Sequence, residues 1–129
     1  MPEKKAWRLI FAEGLLQNYL PGELTWTFRV HRPGSNDFEK GQLIEGHFKE
    51  GIMLLLDVLE EPKVKPFNKI TAPERKEWNH GKAISYIEMI EVMNTHNPSV
   101  TGETMAALIK LRLARISDRP IAGPLPEVL

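Results

Sequence analysis

Residues 21–30 read PGELTWTFRV, a Pro-Gly turn signal that leads into alternating apolar and polar side chains. Because successive side chains of a β-strand point to opposite faces, this alternation predicts a strand over residues 24–30. Its apolar face carries Leu24, Trp26, Phe28 and Val30, and its polar face carries Thr25, Thr27 and Arg29. Two hydroxyls and a guanidinium on one face suit the recognition of phosphates or base edges, although any solvated strand face has this pattern.

Length and composition are those of one globular domain. The chain has 129 residues, which is long enough to bury a sizeable core without disulfides or metal. Its hydrophobic content of 42% and charged content of 26% are ordinary for such a domain. The chain has no cysteine, so a disulfide framework and a thiol nucleophile are excluded, and a cytoplasmic location is expected.

The charge balance limits how this chain could bind a nucleic acid. Lys and Arg number 17, Asp and Glu also number 17, and the formal net charge is zero. Many nucleic-acid-binding domains have a clear positive excess, so this protein would need a local basic patch. The sequence has no recognisable signal peptide, and its longest apolar run, residues 52–56, is too short to span a membrane. We therefore expect no membrane partner.

Apolar periodicity and turn signals predict six strands and three helices. The predicted strands are residues 7–11, 24–30, 43–48, 52–59, an edge segment at 63–67, and 104–114. The predicted helices are residues 12–20, a short helix that starts with a Thr71–Glu74 capping box and closes at Gly81, and residues 82–94. Helices do not alternate regularly with the strands, which favours an α+β fold, a small and mostly antiparallel β-barrel with two or three flanking helices.

We expect this barrel to form a single domain over residues 1–116. Residues 117–129 follow as a tail that contains three prolines, Pro120, Pro124 and Pro126. Proline fixes the backbone and lacks an amide donor, so this composition predicts an extended segment at the surface.

Three motifs resemble the ASCH family, whose members adopt a PUA-like β-barrel. The first is Thr25-x-Thr27-x-Arg29 after the Pro-Gly turn, and the second is Phe38-x-x-Gly41 before a strand. The third is a short helix that begins after Ile70-Thr71 and ends with Asn79 and Gly81. The ordered set covers roughly residues 9–113 and implies a PUA-like barrel that binds RNA or a nucleoside in a cleft beside the threonine strand.

Some small members of the family hydrolyse N4-acetylcytidine, and the resemblance implies which residues such chemistry would use. The family pattern has a lysine before the first threonine, the second threonine, here Thr27, and a glutamate in the short helix. Leu24 stands in the place of the lysine, and the place of the glutamate falls on Trp78, with Glu77 one residue earlier. Leucine cannot accept a proton, so the sequence favours a binding domain over an amidohydrolase in which Thr27 and Glu77 are catalytic.

The predicted ligand-binding residues are Thr25, Thr27, Arg29, Arg32, Lys40 and Trp78. Arg29 could hold a phosphate or a guanine edge with two hydrogen bonds, or it could pair with Glu45 on a neighbouring strand. Trp78 could stack on an unpaired base, or it could seal its helix onto the barrel. Arg32 and Lys40 could form the basic patch together with His31, His47 and Lys49, or they could be scattered solvated charges.

The sequence predicts no metal site and no cofactor. The four histidines are not spaced as metal ligands and no cysteine accompanies them, and no glycine-rich phosphate loop is recognisable. The predicted partner is RNA or a nucleotide. A third reading, a protein-interaction module, is favoured by the zero net charge and the proline-containing tail.

Overall fold

A computed structural model describes residues 8–12, 14–34 and 36–116 of the chain. The predicted tail over residues 117–129 lies outside the described residues, as does Trp7 of the first predicted strand. The strands are β1 (Arg8–Phe11), β2 (Thr25–Val30), β3 (Leu43–Phe48), β4 (Met53–Val58), β5 (Lys63–Pro66) and β6 (Met105–Ile116). The helices are α1 (Leu16–Tyr19), α2 (Ala72–Trp78) and α3 (Tyr86–His96), with a 3-10 turn at Phe67–Lys69.

The six strands form one mixed sheet that curls into a half-barrel. The strand order is β1-β3-β4-β6-β2, and β5 pairs with β6 beside this path. The β1–β3 pair is parallel and the other four pairs are antiparallel. The structure confirms the predicted fold class, α+β with a small, mostly antiparallel barrel and three helices in the described part of the chain.

The long strand β6 separates two hydrophobic cores, because its alternate side chains point to opposite faces of the sheet. Ala107, Ile109 and Leu111 belong to the core inside the half-barrel, together with residues of β1, β3, β4 and α1. Ala106 and Leu108 belong to the core between the sheet and α3. A strand that is buried on both faces reads as a nearly continuous apolar run, which is why β6 shows no clear alternation in the sequence.

Strand β2 contributes its apolar face to the core between the sheet and α3, and its other face corrects one expectation. The two faces alternate as predicted, and Phe28 is buried between the sheet and the helices. The polar face is not solvated, because Thr25 is 5% exposed and Thr27 is 9% exposed. Leu24, expected on the apolar face, precedes the strand and is 45% exposed. The polar row is buried because α1 and β1 cover it, with Thr25 bonded to the Asn18 carbonyl and Arg29 bonded to the Ile10 carbonyl.

Side-chain caps set the helix boundaries. The predicted capping box of α2 is present, with the Thr71 hydroxyl accepting from the Glu74 amide and the Glu74 carboxylate accepting from the Thr71 amide. Helix α3 begins at Tyr86 rather than at residue 82, because Ser85 and Glu88 form a second capping box. In the described part of the chain, no helix has the length and apolar character needed to cross a membrane.

The last turn of α2 closes through His80 and the predicted Gly81, both of which have positive φ. The His80 amide donates to the Glu77 carbonyl and the Gly81 amide donates to the Lys76 carbonyl, which is the pattern of a Schellman cap. In this cap the left-handed position is normally glycine, but here it holds His80 at φ 58°. A non-glycine residue in this conformation has a steric penalty, so His80 lowers the free energy of unfolding.

We expect His80→Gly to stabilise the protein by about 0.5–1 kcal/mol, because glycine adopts positive φ without a steric penalty. The conservative control is His80→Asn, since asparagine tolerates the left-handed region and should leave the stability nearly unchanged. Urea titration of the three proteins measures the free energy of unfolding. A less stable glycine variant would show that contacts of the imidazole outweigh the backbone cost.

The Glu74 carboxylate links α2 to the edge strand β5. It accepts hydrogen bonds from Lys65 Nζ at 2.8 Å and from the Thr71 amide at 2.8 Å. Partial burial raises the pKa of Glu74, but the hydrogen bonds from Lys65 and Thr71 outweigh this effect and lower the pKa to about 2. A folded-state pKa below the unfolded value of roughly 4.3 means that the stabilisation is present above that pH and is lost toward pH 2.

We expect Glu74→Gln to remove about 1 kcal/mol of stability at neutral pH, after allowance for solvent screening, and almost none near pH 2. The difference between variant and wild type should therefore shrink as the pH falls from about 5 to about 2. Urea titrations over this range measure it. Glu77→Gln on the same helix is the control, because Glu77 has no ion pair among the described residues and should show no such convergence.

Candidate functional site

The two end strands of the sheet, β1 and β2, face each other across an open seam. No backbone ladder joins them in the described residues, so the half-barrel is not closed by main-chain hydrogen bonds at this point. A cleft of about 990 Å³ occupies the seam and extends to the C-terminal ends of α2 and α3. This volume lies at the upper end of the range for ligand pockets.

Arg29 spans this seam from β2 to β1. Its Nη1 donates to the Ile10 carbonyl at 2.8 Å, and its guanidinium carbon lies 4.8 Å from the centre of the Phe11 ring. Phe11 is in turn stacked on Phe48 at a centroid distance of 4.6 Å, so an aromatic layer supports the charged group. A cation over an aromatic face adds roughly 0.5–2 kcal/mol to such a contact. Arg29 therefore fastens two strands that the backbone leaves unpaired.

Thr27 and Tyr19 complete a partly buried polar network around Arg29. The Thr27 hydroxyl accepts a hydrogen bond of 3.1 Å from Arg29 Nε. Burial raises the pKa of Tyr19, while the nearby Arg29 guanidinium and the Thr27 hydroxyl lower it by less, so the phenol stays protonated at neutral pH. Burial also lowers the pKa of Arg29, but arginine remains charged in proteins at every ordinary pH. The network thus holds one positive charge at the centre of the cleft.

Thr25 has a structural contact at the start of β2. Its hydroxyl donates to the Asn18 carbonyl at 3.1 Å and so ties the end of α1 to the strand. Glu45, the alternative partner of Arg29, alternates with the core residues Ile44 and Phe48 and so lies on the other face of β3, where it is bonded to His47 Nε2 at 3.0 Å. The alternative in which Arg29 pairs with Glu45 is therefore wrong.

The charged residues that line the cleft are all basic in the described part of the chain. Four cationic residues line it, Arg8, Arg29, Arg32 and Lys49, and two histidines join them, His80 and His96. No Asp or Glu among the described residues lines it, although the chain has 17 acidic residues. None of the four cations has an ion-pair partner among the described residues. The cleft is thus a region of concentrated positive charge in a neutral protein.

The loop after β2 places Arg32 at the cleft through two side chains. Asn36 Nδ2 donates to the Val30 carbonyl at 2.9 Å, and its Oδ1 accepts from the Arg32 amide at 3.0 Å. Asp37 accepts from the Gly34 amide at 2.8 Å and lies 2.6 Å from His31 Nε2. The Gly34 amide, and then His31, hold the pKa of the Asp37 carboxyl below its usual range. His31 is engaged in this loop contact and does not line the cleft.

The remaining predicted residues occupy different places. Trp78 stacks on Phe28, with ring centres 4.9 Å apart and an angle of 8° between the planes, so it packs its helix onto the sheet. It also lines the cleft, and its stacking on a base stays a prediction. Lys40 and Glu77 are exposed and are not among the lining residues. No group of three His, Cys, Asp or Glu in the described residues is arranged to hold a metal ion.

Sequence reasoning did not identify several residues that build this site. Ile10 contributes its carbonyl to Arg29, Tyr19 adds a buried phenol, and Asn36 holds the loop. A carbonyl acceptor carries no sequence signal, and Tyr19 fits an apolar helix stripe equally well. Asn36 is 5% exposed and its side chain binds loop backbone, but composition alone does not show that an asparagine is buried.

Comparison of the chain with family models, with curated proteins and with solved structures finds no match in any of the three. The resemblance to the ASCH family therefore stays a prediction that rests on the three quoted motifs.

We expect Arg29→Ala to lower the free energy of unfolding by about 2–3 kcal/mol, because it removes the donor of the partly buried Ile10 carbonyl and the cation over Phe11. Arg32→Ala is the matched control, since the Arg32 side chain makes no hydrogen bond among the described residues, and we expect a change within about 0.5 kcal/mol. Urea titration measures both. Equal small effects would mean that the seam does not depend on Arg29.

Proposed function

We propose that this protein binds single-stranded RNA or a nucleotide in the cleft between β1 and β2. The single observation that carries this proposal is the charge of the cleft, four unpaired cationic residues and no carboxylate among the described lining residues. Phosphate contacts supply most of the affinity of proteins for nucleic acids, and a cleft lined by one sign of charge attracts the opposite charge. The local basic patch that a neutral chain needs is supplied here by its fold.

The spread of the charges supports a ligand with more than one phosphate. In the register of the β1–β3 ladder, Arg8 stands opposite Glu45 and Phe11 opposite Phe48. Arg8 therefore lies at one end of this strand pair, and Lys49 lies just beyond the other end. At about 3.3 Å per residue these ends are roughly 10 Å apart, and Arg29 contacts β1 between them. A chain of phosphates follows such a row better than a single small anion does.

Aromatic and amide groups beside the charges support a ligand that carries bases. Trp78 and Phe28 form a stacked pair at the cleft, and an aromatic ring can stack on an unpaired base. Asn36, Asn79 and Asn97 also line the cleft and offer amide donors and acceptors. Double-stranded nucleic acid has no exposed base faces, so this combination favours single-stranded ligands.

We prefer binding to hydrolysis because the groups expected of the amidohydrolase are not assembled around the threonines. Leu24 is exposed in the place of the family lysine, Glu77 does not line the cleft, and the Thr27 hydroxyl already accepts a hydrogen bond from Arg29. General acid–base chemistry needs a proton acceptor within hydrogen-bond reach of the nucleophile. We further propose that the domain is a PUA-like barrel of the ASCH type, and that it is cytoplasmic, as the absence of cysteine favours.

We expect short single-stranded RNA to bind in a salt-dependent manner and duplex RNA to bind less tightly. Arg32→Gln and Lys49→Gln should each weaken binding and reduce the slope of log affinity against log salt concentration by roughly one. Lys69→Gln is the matched control, because Lys69 is exposed and lies away from the cleft. Fluorescence titration at several salt concentrations measures these values.

Two results of this titration would count against the proposal. If Lys69→Gln weakened RNA binding as much as the cleft variants did, the interaction would be a general surface effect. If no single-stranded RNA and no nucleotide bound at low salt, the cleft would have another ligand, and acetylcytidine hydrolysis or a protein partner would become the better explanation.

A further inference from the structure

The free edge of β2 presents main-chain hydrogen-bonding groups to the cleft. In an antiparallel pair, the residues whose amide and carbonyl face the partner strand alternate with residues whose groups face away. The His31 amide donates to the Met105 carbonyl at 2.8 Å, which places position 31 among the residues that face β6. By alternation Thr25, Thr27 and Arg29 also face β6, whereas Trp26, Phe28 and Val30 face the seam.

A contact at Val30 agrees with this alternation. Its carbonyl accepts a hydrogen bond of 2.9 Å from Asn36 Nδ2, a side chain that approaches from the seam side. Asn36 thus shows that a planar amide donor fits against this edge. Two residues earlier, at the preceding position that faces the seam, no strand of the described residues pairs with the Phe28 amide and carbonyl, and the same holds for Trp26.

The side chains of Trp26 and Phe28 point away from the Arg29 face of the sheet. The Trp26 ring lies within 5.7 Å of Lys63 Nζ and 5.6 Å of Lys110 Nζ, and Phe28 is stacked on Trp78. Residues of both faces nevertheless line the same cleft. The cleft therefore runs along the edge of the strand, where main-chain atoms are the groups that a ligand meets between the two rows of side chains.

We propose that the main-chain edge of β2 at Phe28 and Trp26 reads the hydrogen-bonding edge of an unpaired nucleobase, an inference that rests on the proposed RNA or nucleotide binding. An extended residue offers a donor and an acceptor side by side, and the Watson–Crick edge of each base offers an adjacent acceptor and donor. Arg29 and Arg32 hold the phosphates of the same ligand.

The positive charge of the cleft favours RNA or a nucleotide over a peptide strand as its ligand. An exposed strand edge is also the site at which an extended peptide adds to a sheet. The cleft beside this edge has four cationic residues and no carboxylate among its described lining residues, and a peptide backbone has no charge to match them. A polyanion whose bases carry paired donors and acceptors satisfies both the charges and the strand edge.

Amide hydrogen exchange of the labelled wild-type protein tests this reading without any substitution. The probes are homopolymeric RNA oligonucleotides of each of the four bases and an abasic ribose-phosphate oligomer of the same length. With a saturating base-containing oligomer, we expect exchange of the Phe28 and Trp26 amides to slow by roughly tenfold or more. The Thr27 and Arg29 amides are the internal controls, because they already face β6 and should change much less.

The outcomes separate this inference from the function on which it rests. Protection of Phe28 and Trp26 by base-containing oligomers and not by the abasic oligomer would support the edge reading. RNA binding that leaves these two amides unprotected, or equal protection by the abasic oligomer, would overturn it and leave the proposed function standing. Absence of binding to every oligomer would overturn both. Protection by an acidic extended peptide but by no RNA would replace both with a strand-addition site.

Discussion

The hydrogen bond from Arg29 to the Ile10 carbonyl is the contact on which the open side of this barrel depends. The sheet ends at β1 and β2, and no ladder joins these strands in the described residues. In a closed barrel, the amides and carbonyls of two facing edge strands would bond to one another. Here the two strands are separated by a cleft, and the Arg29 side chain bridges it by its hydrogen bond to Ile10. Because Arg29 rests on Phe11 and is bonded to Thr27, its position follows from the packing beneath it.

This arrangement explains why a row of polar residues is buried. Thr25, Thr27 and Arg29 face the inside of the half-barrel, where α1 and β1 cover them, and each has a hydrogen-bond partner there. A buried polar group without a partner would destabilise the fold, so the partners are a condition of the burial. The same groups that stabilise the seam also place a positive charge at the centre of the cleft.

The fold, and not the composition, brings basic residues without ion-pair partners together in one cleft. Lysines outside the cleft, such as Lys65 and Lys110, are paired with Glu74 and Glu60. The four cations of the cleft have no such partners in the described part of the chain. Since paired charges cancel at short range and unpaired ones do not, the neutral total conceals a local positive field.

Local patterns in the sequence were sufficient for most of the elements. Alternation over residues 24–30 located β2, the Thr71–Glu74 capping box located the start of α2, and the strand over residues 43–48 was predicted with its observed bounds. These signals depend on neighbours in the chain, which a sequence displays directly. The start of α3 differs from the prediction, because it depends on which of several nearby residues caps the helix.

The sequence was also enough to single out Thr25, Thr27 and Arg29 as one row, because a strand has a period of two. It could not show what covers that row, since the Ile10 carbonyl, Tyr19 and Asn36 come to it from separate elements. It could not show that Arg8, Arg32 and Lys49 share a cleft that lacks acidic residues among its described lining. Those facts depend on strand order and on the open seam, and long-range pairing leaves no periodic trace in the chain.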